Sequence, residues 1–197
     1  MSLRKRDFMR TILHIDMNNF YASVECLYRP EIRHLPVAVA GDPLNRHGII
    51  LAKNMLAKKL GVKTGEAIWQ AKLKAPELVT VPPDFRKYLK FSRLARQILY
   101  DYTNQIEPFG IDENWADVTG SELLCGDGSA IANSIRLRIK EELGCHTSLG
   151  VSNISFGLPN RDAINGVFYA RLLRFRGGRA VVVLRKFYFF LQYWLLK

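Results

Sequence analysis

The chain has 197 residues, 48% of them apolar and 24% charged, which excludes a disordered or collagen-like protein and suits one domain, or two small ones, with a proper core. Its three cysteines are far apart and form no CxxC pair, so neither a disulfide framework nor a zinc ribbon is supported and a reducing cytoplasm is expected. The net charge is +11 and uneven, with residues 151–197 holding 8 of the 29 Lys and Arg but 1 of the 18 acids; this suits a polyanionic partner through counterion release, or a solvated basic surface.

Residues 1–8 (MSLRKRDF) are basic, lack a signal-type apolar run behind them and read as an extension before Met9. RTILHID (10–16) is a short apolar run ending in an acid, the pattern of a buried strand. Asn18 or Asn19 is placed to cap the helix FYASVECLY that comes next. VAVAG (37–41) and GIILA (48–52) are further strands, separated by a Gly-Asp-Pro turn signal. KNMLAKKLG (53–61) is a short helix closed by Gly61, and another spans 66–74 before Pro76. Over 84–105, Tyr88, Phe91, Leu94, Ala95, Ile98, Leu99 and Tyr102 form one apolar stripe at helical spacing. IEPFGI and NWADVT then read as two strands joined at Asp112-Glu113. Ser129 is the expected N-cap of an amphipathic helix over 130–143, ended by Gly144, with a last strand at 146–152. Strands alternate with helices, which argues a layered α+β (α/β) domain.

Three acids sit at strand ends: Asp16, Asp112 and Glu113. Clustered carboxylates repel, and hard oxygen donors at this density suit Mg²⁺. The other reading is that Asp112-Glu113 makes a turn and Asp16 caps a helix.

IDMNNFYASVE (15–25), VAVAG (37–41), AKKLGVKTGEAIWQA (57–71) and IDENWADVTG (111–120), in that order, resemble the motifs of the Y-family translesion DNA polymerases in their DNA polymerase IV (DinB) branch. The resemblance runs from Met9 to about Ser152. It implies a ferredoxin-like palm over 9–152 with a small fingers insertion at about 30–80. It implies nucleotidyl transfer from dNTP to a primer 3′-OH, with primer–template DNA and dNTP as partners. Two Mg²⁺ ions, replaceable by Mn²⁺, would be held by Asp16, Asp112, Glu113 and the Met17 carbonyl. Tyr21 falls at the steric-gate position that rejects ribonucleotides, against the plainer reading of a helix-core aromatic. Phe20 would support the sugar or pack in the core. A non-catalytic palm remnant that binds nucleotide or nucleic acid is the alternative.

Where the family's fingers carry a YxAR pattern, this chain has Met55 and Lys58. Lys58 keeps the charge and loses the bidentate fork, so weaker nucleotide binding is expected. Gly110 and Ala116 replace a usual Ser and Leu. After GVS (150–152) the expected Lys is missing, and residues 153–197 do not read as the family's thumb or little finger, so weak or no activity is expected of the chain alone.

The segment 153–197 differs in composition, with four arginines between 171 and 179 and a run of aromatics near the end. GVSNISFGLPNRDAINGVFYARLL (150–173) resembles a block of pterin-binding methyltetrahydrofolate methyltransferases, in which Asn153 would contact the pterin. Seven further barrel strands have no room, so a join of two coding segments is the expectation, with 174–197 a frame-shifted tail or a basic phosphate-contacting loop. The last 17 residues are broken by Arg185, Lys186 and Gln192, short of the ~20 apolar residues of a spanning helix, and no membrane segment is expected.

Overall fold

Alternating side chains along the first strand decide the architecture. In a computed structural model describing residues 8–41 and 48–156, β1 (Phe8–Met17) buries Thr11, Leu13, Ile15 and Met17 on one face and leaves Ile12, His14 and Asp16 on the other. The described part falls almost wholly in the unit Met9–Ser155. The basic extension, the Gly-Asp-Pro turn and the tail lie outside the described residues, as does the pterin-like block beyond the backbone of the last strand.

β1 sits inside a four-stranded sheet with β5 (Ile106–Phe109), β6 (Glu113–Asp117) and β7 (Thr147–Phe156), in the order β5-β6-β1-β7. β6 is antiparallel to both β1 and β5. Helices α4 (Phe85–Tyr100) and α6 (Gly128–Leu143) pack on one another. With residues 18–84 and 119–125 set aside, the chain reads β1-α4-β5-β6-α6-β7, the β-α-β-β-α-β pattern of a ferredoxin-like domain. Leu13, Ile15, Met17, Ala116 and Val118 meet Tyr88, Ala95, Ile98, Leu99, Ile131, Ile135 and Ile139 in its core.

Between β1 and α4 the chain builds a second, three-stranded sheet, β3-β2-β4, from β2 (Val37–Ala40), β3 (Ile50–Lys53) and β4 (Val79–Val81). α2 (Met55–Lys59) and α3 (Ile68–Lys74) contribute Ala57, Ile68 and Ala71 to one of its cores, with Ala38, Ala40 and Ile50. Its other face, Val37, Val39 and Val81, takes Ala22 and Cys26 of α1 (Phe20–Tyr28). Phe20 and Val24 of the same helix enter the first core. α1 is therefore wedged between the two sheets.

Several local expectations are corrected. Asn19 adopts a left-handed φ of 50° and makes no side-chain cap. Asp127, not Ser129, caps α6, its Oδ1 accepting from the Ala130 N–H at 2.8 Å. The cap at Asp127 starts α6 two residues early, and Gly128 is needed there: a Cβ would lie 2.4 Å from Thr11 Cγ2. α4 stops at Tyr100, because the Asp101 and Tyr102 N–H groups turn back onto the Ile98 and Leu99 carbonyls. β4 and the four-residue α5 (Glu122–Cys125) are additional elements. Among the described residues no helix is long and apolar enough to cross a membrane.

Candidate active site

The end of β1 and the start of β6 lie side by side. Asp16 is directly opposite Glu113 in the antiparallel register. The Met17 N–H donates to the Asp112 carbonyl at 3.0 Å, closing the ladder one residue beyond. Pairing alone thus gathers Asp16, Met17, Asp112 and Glu113 at one sheet end. In the tight turn before them Gly110 has a φ of +80°, which an L side chain rarely adopts. The departure from the family's Ser is a backbone feature here.

Glu113 is 8% exposed. Its Oε2 lies 3.3 Å from His14 Nε2, and the His14 ring stacks on Trp115 with centroids 4.2 Å apart. The period-2 rule puts His14 on the Asp16 face and Trp115 on the Glu113 face; that signal is present in the sequence, but only the register makes the pair. On the far side of β1, the Asn18 N–H donates to the His146 carbonyl at 2.8 Å, and Ser148 Oγ donates to Asn18 Oδ1 at 2.9 Å.

Tyr21 is partly buried on α1, and its phenol is raised above the usual range, first by burial and then by the Asp112 charge. Tyr21 stacks on Tyr88 at 4.4 Å and 17°, with Phe85 edge-on to both rings. Phe20 is 3% exposed, so of its two expected roles the structure places the side chain in the core, against Tyr88.

Lys58 and Met55 are exposed on α2. Lys53 stands at the end of β3. Its ammonium is depressed, first by burial and next by the Lys58 charge, with Glu66 opposing. Its Nζ donates to Thr64 Oγ1 at 2.9 Å.

The donors at the acid site are carboxylate and carbonyl oxygens, which fits a hard divalent ion in kind. Among the described residues no group of three His, Cys, Asp or Glu forms a ready-made metal cage. Magnesium is commonly held by one or two carboxylates with substrate phosphates and water completing its shell, so an open acid pair is compatible with it.

A ferredoxin-like sheet with acids at the β1–β6 end and a small second sheet inserted after β1 defines a polymerase palm with fingers. The IMS family (impB/mucB/samB) matches residues 15–156. DNA polymerase IV of Acetivibrio thermocellus is 61% identical over 143 residues, covering 73% of this chain and 36% of that protein. DNA polymerase IV 2 of Bacillus subtilis is 41% identical over 142 residues, covering 72% and 34%. DinB from Sulfolobus solfataricus superposes with a TM-score of 0.66 at 29% identity, over 72% of this chain and 42% of that one. The insertion ternary complex of Dbh DNA polymerase gives the same TM-score and coverage. The chain belongs to the impB/mucB/samB family, on its DinB-like, Y-family polymerase side. It spans about a third of the length of the curated relatives it matches.

Proposed function

We propose that residues 9–152 are the palm and fingers of a DNA-directed DNA polymerase, with the fingers at about 30–80. Its reaction is nucleotidyl transfer from dNTP to a primer 3′-OH in translesion synthesis and repair, in the cytoplasm. The observation that carries this is the in-register opposition of Asp16 and Glu113, with Asp112 bonded to the next backbone position. Family membership supports it.

In this reading Asp16, Asp112, Glu113 and the Met17 carbonyl hold two Mg²⁺ ions, or Mn²⁺. Such ions, when bound, activate the 3′-hydroxyl and stabilise the leaving pyrophosphate. The protein's own share is positioning. The ladder bond from Met17 to Asp112 fixes the acid end of the sheet. Tyr21 crowds the 2′-carbon of the incoming sugar, with Phe20 packed behind it. Lys58 faces the triphosphate. Met55 offers it no hydroxyl, and Lys58 no bidentate fork, so nucleotide is held weakly.

Thermal unfolding of the full chain with Mn²⁺ and dNTP, beside Asp112→Ala, tests this. A ligand at a hundredfold excess over Kd adds about 2.7 kcal/mol to apparent stability. A shift in the wild type that is lost in Asp112→Ala supports the metal and nucleotide site, and primer extension, expected to be weak from this chain alone, separates the polymerase from a palm that only binds. Equal shifts in both proteins overturn it. A second reading, a palm that binds nucleotide or DNA without turnover, is favoured by the Glu113–His14 contact and by Met55. It predicts the shift without primer extension.

A further inference from the structure

We propose that Tyr88 is the positioning residue for the Tyr21 ring, so that discrimination between deoxyribose and ribose depends on a contact made from α4. The inference rests on the reading of Tyr21 as the ring that meets the sugar.

A ring that excludes one hydroxyl must be held to a fraction of an ångström. Tyr21 is only partly buried, and its own helix has nine residues. The ring is instead backed by Tyr88, which is 0% exposed and lies nearly parallel to it. Tyr88 is itself fixed at its far end. Its hydroxyl donates to Glu25 Oε1 at 2.9 Å, and Glu25 is also 0% exposed. Lys87 Nζ donates to the other carboxylate oxygen of Glu25 at 3.2 Å.

The spacing explains the arrangement. Tyr21 and Glu25 are four residues apart on α1, one above the other. A single tyrosine from α4 therefore reaches both, its ring against Tyr21 and its hydroxyl on Glu25. Phe85, three residues before Tyr88, closes the edge of both rings. The sequence shows Tyr88 only as one residue of an apolar stripe. Its hydroxyl on a buried carboxylate and its ring on the motif-helix aromatic give it a further task.

The test is equilibrium binding of dATP and of ATP to the full chain with Mn²⁺, read as the ratio of affinities. The variants are Tyr21→Ala, Tyr88→Leu and Tyr88→Phe. The wild type favours dATP, and Tyr21→Ala brings the ratio to near unity. Tyr88→Leu lowers the ratio about fivefold, the worth of one aromatic pair. Tyr88→Phe, which keeps the ring and drops the bond to Glu25, gives an intermediate ratio. A folded Tyr88→Leu with the wild-type ratio, while Tyr21→Ala loses it, overturns the inference and leaves the gate standing. Should Tyr88→Leu fail to fold cooperatively, Tyr88→Phe decides, and a wild-type ratio there overturns the inference. A wild type without preference or binding, or a Tyr21→Ala protein that keeps the preference, overturns the gate itself and the inference with it.

Discussion

Replacing Lys87 with Met should cost more than replacing Glu25 with Met. Glu25 is a fully buried carboxylate with two donors, Tyr88 Oη at 2.9 Å and Lys87 Nζ at 3.2 Å. Lys87→Met keeps the stem and removes the cation, leaving a buried charge on one phenol. Breaking a buried pair from one side costs about 3–5 kcal/mol, and the 23% exposure of the Lys87 side chain sets the expectation at about 3. Glu25→Met removes the charge itself. Lys87 then keeps Asp84 at 3.5 Å and the Tyr28 ring at 4.8 Å. The remaining cost is a buried Tyr88 hydroxyl without its acceptor, about 1–3 kcal/mol. The double variant should unfold close to Glu25→Met alone, so that the second substitution rescues the first. Urea unfolding monitored by tryptophan fluorescence gives the three free energies, read at constant m. Additive losses, or Lys87→Met milder than Glu25→Met, would refute the picture of a charge anchored from α4.

Alkaline pH should weaken the fold. Burial pushes the Cys145 thiol up to about 11 from 9.0, and the Tyr21 and Tyr88 phenols are raised from 10.0, burial being the largest cause for each. The folded state therefore keeps protons that the unfolded chain loses. Stability is whole below pH 9 and falls as pH rises, by about 3 kcal/mol for Cys145 once pH 11 is passed; urea midpoints at pH 8 and 11 check this, with a shallower fall expected in Cys145→Ala. Gly128→Ala should destabilise by about 2 kcal/mol by overpacking. Adding Thr11→Ser, which deletes the methyl 2.4 Å from the new Cβ, should restore most of the loss in the same assay. Asn54→Ala should cost about 2–3 kcal/mol, because Asn54 Oδ1 accepts from the Ala57 and Val37 N–H groups and its Nδ2 donates to the Leu35 carbonyl. Hydrogen exchange should show the loss concentrated in β2 and α2.

Local periodicity carries much of the fold. The alternation along β1 and the stripe of α4 arise from side-chain burial on one face, which a sequence displays directly. β4 is different. Its three residues, Val79, Thr80 and Val81, become a strand by parallel pairing with Val37, Ala38 and Val39, a partner some forty positions away. The caps of α1 and α6 escape a sequence reading for a related reason. Asn, Asp and Ser all suit a cap, and residue type alone does not choose Asp127 over Ser129. At the site, the acids are legible as motif text. The contacts of His14 with Glu113 and of Tyr88 with Tyr21 are not, because pairing and packing bring those neighbours together.

The wedged position of α1 explains why a buried charge is tolerated on it. Nine residues make a marginal helix in water, so tertiary packing must fix both its axis and its rotation. Apolar contacts alone do this loosely: Phe20 and Val24 enter one core, Ala22 and Cys26 the other, and small residues slide. A carboxylate that must find two donors admits far fewer placements. Glu25 meets them on Tyr88 and Lys87, successive residues of α4, a helix of the palm. Rotation of α1 away from α4 leaves a charge buried without its partners. Glu25 thus fixes against α4 a helix that packs on both sheets, and the same helix carries Tyr21.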